Sequence, residues 1–377
     1  MKHVLFLAAP LLGASLYAQS GDIAPNENLL ADGIPPIPSS VAEAVGRYAD
    51  FRAASFQAWN PAKREMLVLT RFGDTNQVHR VKMPGGDRTQ LTFFPDRVSG
   101  ASFPPAGRGD FFVFSKDVGG GEFFQLYRYD VATAAVTLLT DGKSRNTGGA
   151  WSTKGEAIAY SSTRRNGKDS DLYVMSPADP RTDRRLAEVE GGGWGVLDWS
   201  PDDKTVVVGE FLSVNESHLW LFDVATGERK RLTPESEGEP AGYFGARFAP
   251  DGKSVYTVTD KDSEWRRLAR LDVATGTHRY LTSHVSWDVQ TFDLSPDGTT
   301  IAFETNEDGA SVLRLLDTAT GRETGGPKLP RGVLSGLEWH PDGTVLGFTL
   351  SSARSPADAY SFTPASEKLE RWTESET

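Results

Sequence analysis

A large apolar residue followed by a Pro/Asp/Gly-type turn recurs along this chain, and a short β-rich run follows each turn, as at residues 254–258, 300–303 and 344–350. The clearest copies are Trp199-Ser-Pro-Asp-Asp203, Phe248-Ala-Pro-Asp-Gly252, Leu294-Ser-Pro-Asp-Gly298 and Trp339-His-Pro-Asp-Gly343. Weaker copies at Trp59-Asn-Pro61, Phe103-Pro-Pro-Ala-Gly107 and Trp151-Ser-Thr-Lys-Gly155 keep the apolar residue and a turn former. The seven anchors stand 44, 48, 48, 49, 46 and 45 residues apart. That period belongs to a four-stranded propeller blade.

The inside of each unit carries a second turn. It reads Asp223-Val-Ala-Thr-Gly227, Asp272-Val-Ala-Thr-Gly276 and Asp317-Thr-Ala-Thr-Gly321, with a degenerate copy at Asp130-Val-Ala-Thr-Ala134. Glycine supplies the positive φ of a tight hairpin, and Asp or Thr bonds the local backbone. A fourth strand then ends in Leu91-Thr92, Leu139-Thr140, Leu232-Thr233, Leu281-Thr282 or Trp372-Thr373. The pattern predicts an all-β fold, a seven-bladed β-propeller of four-stranded antiparallel blades over residues 51–377. Blade 1 begins with its innermost strand near Ala53 and blade 7 ends with its outermost strand at Thr373, so no strand is left to be shared between the ends. Such a ring closes through blade contacts alone and is free to gape. The Trp, Phe and Pro-Asp-Gly residues of the repeat read as packing and turn residues, none of them catalytic.

Ahead of the ring, Lys2 and the amino terminus precede an uncharged stretch from Val4 to Tyr17, followed by small residues at Ala18 and Ser20. Residues 1–20 read as a secretory signal peptide cut after Ala18 or Ser20. Fourteen residues interrupted by Pro10 and Gly13 are too few to span a bilayer as a helix. A periplasmic or secreted location is expected, with no membrane attachment after cleavage. Residues 21–50 form an N-terminal extension, in which Ser40-Val-Ala-Glu43 predicts a capping box opening a short helix through about Tyr48.

Composition narrows the chemistry. Cysteine is absent, which removes disulfides, thiolate zinc sites and thiol nucleophiles. The formal charge of −11 becomes −12 once Lys2 is lost, and the 40 Lys and Arg form no basic block. Nucleic acid is therefore not an expected partner. No Gly-x-Ser-x-Gly elbow occurs, the six His form neither His-x-x-x-His nor His-Glu-x-x-His, and no glycine-rich phosphate loop opens a helix. No catalytic residue, metal or cofactor is implied.

The two faces of the ring differ. One carries the stereotyped turns; the other carries long, dissimilar connections, where binding residues concentrate on repeat folds. That second face holds Glu235, Glu237 and Glu239, then Glu264, Trp265 and Arg266, then Trp287, with Trp194 after a triple glycine. The carboxylates suit a peptide amino terminus and the tryptophans a binding wall. The plainer reading is a solvated acidic rim with packed aromatics.

Taken together, the Ser-Pro-Asp-Gly turns, the Asp-Val-Ala-Thr-Gly hairpins, the unlocked ring and the closing Arg371-Trp-Thr-Glu374 resemble the N-terminal propeller of bacterial secreted serine peptidases of the prolyl oligopeptidase family, including the dipeptidyl-peptidase and acylaminoacyl-peptidase branches. The resemblance covers Val41 to the end; TolB-like periplasmic propellers share the Pro-Asp-Gly turns. It implies a propeller that gates small peptides into an α/β-hydrolase domain. This chain carries none of the family's Ser, Asp and His catalytic positions. The dipeptidyl-peptidase branch places a contiguous Glu-Glu pair in its propeller, whereas Glu235, Glu237 and Glu239 alternate with other residues. The leading expectation is a non-catalytic, substrate-gating propeller of such a peptidase, whose partners are a peptide and a catalytic hydrolase domain. A free-standing TolB-like propeller binding a protein or peptide partner is the alternative. A metal-dependent lactonase or a glycosidase would need ligands or paired acids converging on the tunnel.

Overall fold

A computed structural model of the chain describes residues 21–25, 29–107, 109–234 and 239–376. The expected signal peptide, residues 1–20, lies outside them. The chain divides into two compact units at Phe51/Arg52. In the first, Asp22–Ile23 pairs antiparallel with Ile37–Pro38, and a helix runs Ser39–Ala49. The expected capping box does not form: Pro38, extended at φ −61°, holds the N-cap position, and no side chain caps the helix. Ser40 lies inside it. Among the described residues no helix is long and apolar enough to cross a membrane.

The second unit is the propeller. Seven four-stranded antiparallel sheets follow one another, each a simple meander from an inner to an outer strand. The inner strands are Ser55–Trp59, Val98–Ser102, Asn146–Trp151, Trp194–Trp199, Tyr243–Phe248, Val289–Leu294 and Val333–Trp339, so each ends at or one residue before its anchor. Every inner strand carries a bulge against its neighbour, for example between Phe56 and Ala58, Phe244 and Ala246, and Ser335 and Glu338. Bulges bend and twist a strand locally, which lets seven of them converge on one axis. At three of the bulges Gly148, Gly245 and Gly336 take φ +73°, +69° and +67°, where a Cβ is disfavoured.

Burial follows from the stacking of blades. Second strands such as Met66–Thr70 and Ser254–Thr259 are buried along their whole length because each lies between two neighbouring sheets. Alternate residues serve opposite neighbours: Val206 and Val208 join the core between blades 3 and 4, and Val207 the core between blades 4 and 5. Seven apolar clusters fill the seven gaps.

The Leu-Thr and Trp-Thr signatures have a common cause. The hydroxyls of Thr92, Thr140, Thr233, Thr282 and Thr373 are buried and accept the backbone N–H of Val78, Leu126, Leu219, Leu268 and Ala359 at 2.9–3.3 Å, where the outer strand has peeled from the ladder. Each satisfies an amide that would otherwise be stranded.

No strand is shared between the ends of the ring. Blade 1 spans Ser55 to Gln90 and blade 7 Val333 to Arg371. Their joint packs Phe56, Trp59, Met66, Val68 and Val81 against Val345, Ala359 and Trp372. Trp59 meets Trp372 edge-on at 5.4 Å and His340 at 5.4 Å. Gly347 makes room, since a Cβ there would stand 2.7 Å from the rings of Phe56 and Trp59. Polar bonds cross as well: Ala54 N–H donates to the Ala357 carbonyl at 2.8 Å, Phe56 N–H to Thr349 Oγ1 at 2.9 Å, and Arg64 pairs with Asp342 at 3.0 Å. Analogous backbone bonds cross other joints, as from Ser217 N–H to Ala241 and from Ser311 N–H to Gly332. The closing joint repeats the construction of the others and lacks only the covalent linker.

The degenerate hairpin generates a stability prediction. Ala134 sits at φ +57° where the other copies have glycine, a conformation that costs an L-residue about 1–2 kcal/mol, partly offset by the extra chain entropy of glycine. Ala134→Gly should raise the free energy of unfolding by about 0.5–1 kcal/mol, read as an upward shift of the urea midpoint at unchanged m.

Candidate functional site

Strand direction fixes which loops share a face. The anchor turns and Asp-x-Ala-Thr-Gly hairpins lie together on a turn face; the second-to-third-strand loops and the blade-to-blade connections lie on a loop face. The chain enters blade 1 and leaves blade 7 on the loop face, since first strands start there and fourth strands end there. Among the described residues of the propeller, the exposed aromatic side chains are Phe72, Phe93, Phe123, Phe211, Trp265 and Trp287. All six belong to the loop face.

The structure brings part of the sequence-predicted set together. Trp265 and Trp287 are 39% and 38% exposed, with ring centroids 6.1 Å apart at 45°. Arg266 lies between them in sequence terms and turns inward: its guanidinium stands 4.0 Å over the ring of Phe244, in the inner strand of blade 5. Its N–H donates to Asp288 Oδ1 at 2.8 Å and its carbonyl accepts Val289 N–H at 2.9 Å. These bonds pin the blade 5 loop to the connection entering blade 6. Glu264 and Glu239 are exposed on the same face. Glu235 and Glu237 lie outside the described residues. Trp194, expected in the wall, is instead buried at 5%, its indole N–H donating to the Glu190 carbonyl at 2.7 Å; it packs between blades 3 and 4.

A second constellation occupies the hub. The residue before each anchor faces the axis: Ala58, Ser102, Ala150, Asp198, Arg247, Asp293 and Glu338. Blades 1–3 contribute small side chains and blades 4–7 ionisable ones. Ala58, Ser102, Ala150, Asp198, Arg247 and Glu338 border a cavity of about 710 Å³ that also touches Pro61, Pro104, Pro296 and Pro341 of the anchor turns, and so opens toward the turn face. Each carboxylate bonds the next blade. Asp198 accepts Phe248 N–H at 2.7 Å, Asp293 accepts Trp339 N–H at 2.8 Å, and Glu338 accepts Trp59 N–H at 3.3 Å. Arg247 joins Asp293 at 3.2 Å and donates to the Leu197 carbonyl at 3.2 Å. These residues stitch the ring as well as charging it.

Three carboxyls gathered around one guanidinium in the hub are held toward their neutral forms. Burial pushes the Asp198 carboxyl up to about 6, against the pull of Arg247. Burial and the neighbouring Asp293 charge push Glu338 up to about 8, and burial raises Asp293 too. The Arg247 side chain is 42% exposed and lines the hub cavity. Sequence reasoning missed this set because an isolated Asp or Glu before an apolar anchor looks like any alternating strand residue. The seven-residue column aligned on the anchors was the available signal. Among the described residues no group of three His, Asp or Glu is placed to hold a metal ion.

The comparisons agree with this architecture. No family model matches the chain. An uncharacterized peptidase, YuxL, of Bacillus subtilis is 28% identical over 181 residues, covering 48% of this chain and 25% of its own length. Dipeptidyl-peptidase 5 of Porphyromonas gingivalis is 27% identical over 145 residues, 35% of this chain and 20% of its own. Among solved structures, a prolyl endopeptidase superposes with a TM-score of 0.70 at 16% identity over 90% of this chain and 54% of that one. The chain thus matches a quarter or less of the length of these curated relatives. The fold is a seven-bladed β-propeller that resembles the N-terminal domain of prolyl oligopeptidase-family peptidases.

Removing Arg247 would leave the hub carboxyls uncompensated. Loss of one partner of a buried pair costs about 3–5 kcal/mol, and tunnel water discounts this to about 2 kcal/mol. Arg247→Met should therefore destabilise by about 2 kcal/mol at pH 8, and by less than half of that at pH 5, where Asp198 and Glu338 are protonated. Urea titrations at the two pH values measure the difference.

Proposed function

We propose that this propeller is the non-catalytic, substrate-gating part of an exported serine peptidase of the prolyl oligopeptidase type, working with an α/β-hydrolase domain on its loop face. The observation that carries this reading is the coincidence, on one face, of both ends of the ring and all six exposed aromatic side chains. Apolar rings exposed on one face of the ring favour a surface that a partner domain covers. The sequence likeness to two peptidases supports the class of the partner.

Within this reading, Trp265, Trp287 and Arg266 meet the peptide as it passes between the two domains, with Glu264 and Glu239 on the same rim and Glu235 and Glu237 in the adjoining connection. The tryptophans offer rigid apolar contact at low entropic cost, and the rim carboxylates favour peptides with a free amino end. No side chain described here is assigned to bond cleavage.

The purified chain should not cleave dipeptidyl or acyl-aminoacyl reporter substrates at a rate abolished by a serine-directed inhibitor; such a rate would overturn the reading. Joined to its hydrolase domain, the double variant Trp265→Ala, Trp287→Ala should raise KM about tenfold with kcat nearly unchanged. A loss of kcat alone would remove these residues from the substrate path.

A further inference from the structure

The hub cavity opens toward the turn face, whereas the exposed aromatic side chains belong to the loop face, and its wall is of two kinds. Blades 1–3 line it with Ala58, Pro104, Ala106, Ala150, Trp151 and their neighbours, none of them ionisable. Blades 4–7 line it with Asp198, Arg247 and Glu338, and Asp293 is bonded to Arg247. An apolar half facing a charged half is the lining of a small-molecule site. Its volume of about 710 Å³ falls within the range of about 300–1,000 Å³ that such sites occupy.

The charges are unevenly matched. Arg247 is already engaged: Nε bonds Asp293 at 3.2 Å, and Nη1 donates to the carbonyls of Leu197 at 3.2 Å and Ala246 at 3.1 Å. Asp198 accepts Phe248 N–H at 2.7 Å and is drawn by Arg247. Glu338 has no basic side chain bonded to it. Its Oε1 accepts Trp59 N–H at 3.3 Å, and among the described residues its Oε2 meets no donor. Burial and the Asp293 charge hold this carboxyl up to about 8, so it keeps a proton for want of a countercharge. An ammonium group brought into the cavity takes the place of that proton.

The wall beside Glu338 is also incomplete. Four of the seven anchors are tryptophan, and the indole N–H groups of three donate to the preceding blade: Trp59 to the Glu338 carbonyl at 3.3 Å, Trp151 to Ser102 Oγ at 2.8 Å and Trp199 to the Ala150 carbonyl at 2.9 Å. Trp339, 5% exposed and part of the cavity wall, has no acceptor for its Nε1 among the described residues. A buried donor without a partner is costly; an oxygen of a guest, or a water bridging to it, satisfies this one. Indole is in addition the ring that best receives a cation, and Trp59, Trp151 and Trp339 all line the cavity.

We propose that the turn-face end of the hub is a binding site for a small organic cation: a primary ammonium seated at Glu338, with its apolar body against the wall from blades 1–3. The site is separate from the loop face and does not rest on the gating reading.

Phenethylamine is the probe, with 2-phenylethanol as its neutral counterpart and 3-phenylpropionate as its anionic one, each titrated into the purified chain at pH 8 by calorimetry. The amine should bind about tenfold more tightly than the alcohol, and the acid more weakly than either. Glu338→Gln should bring the amine down to the affinity of the alcohol, whose own binding is unchanged. The double variant Trp265→Ala, Trp287→Ala should alter none of these. No binding of the amine, equal affinity for amine and alcohol, a preference that survives Glu338→Gln, or loss of binding in the tryptophan variant overturns the proposal. Should Glu338→Gln not fold, Ala150→Leu serves, since it keeps every charge and fills the apolar half. It must weaken amine and alcohol alike, and unchanged binding refutes the site. Titration needs no catalytic partner, so its failure leaves the gating reading standing, and a failed peptidase assay leaves the cation site standing.

Discussion

The joint around Trp59 is the constraint on which the rest of the ring depends. A blade is buried on both faces, so a row of seven is stable only if the last finds the first. Six joints carry a covalent linker that keeps their partners close. The seventh must be held by non-covalent contacts alone: an edge-on Trp59–Trp372 contact, a glycine where a methyl would clash, and a few backbone and side-chain hydrogen bonds across the gap. Because the other six joints already hold blades 1 and 7 near each other, opening this one would release little chain.

Charge at the hub adds a second, softer constraint. The column of residues preceding the anchors runs from small on blades 1–3 to ionisable on blades 4–7, and one guanidinium serves three carboxyls. Burial holds its carboxyls toward their neutral forms, and the guanidinium and the backbone N–H groups they accept pull the other way. The same side chains that charge the hub therefore also align the inner strands of successive blades.

Much of this architecture was legible in the sequence because propeller folding is a local matter repeated seven times. Anchors such as Trp199 and Trp339, turns with glycine at positive φ, and the Leu-Thr ends all report contacts within a blade or with its nearest neighbour, and they recur often enough to align. Ser40 misled because a capping box is a statement about one turn, and Pro38 set the start of the helix first. Trp194 misled because a tryptophan after three glycines looks exposed until the neighbouring blade covers it. Asp198, Arg247, Asp293 and Glu338 were not read as a group, since each looks like an ordinary alternating strand residue until the column before the anchors is aligned across the blades. Of the predicted loop-face set, Trp265 and Trp287 meet, Arg266 turns toward Phe244, and Glu239 and Glu264 are exposed, while Glu235 and Glu237 lie outside the described residues.

Native-state hydrogen exchange across the seven joints is the most direct measurement of the central claim that this ring opens at its closing joint. In low denaturant, the amides of Ala54 and Phe56, which cross from blade 1 to blade 7, should exchange through an opening of lower free energy and smaller denaturant dependence than the amides of Ser217 and Ser311, which cross linked joints. If all of them exchange together, through the single global unfolding, the ring has no preferred opening point and the account of a gating propeller fails.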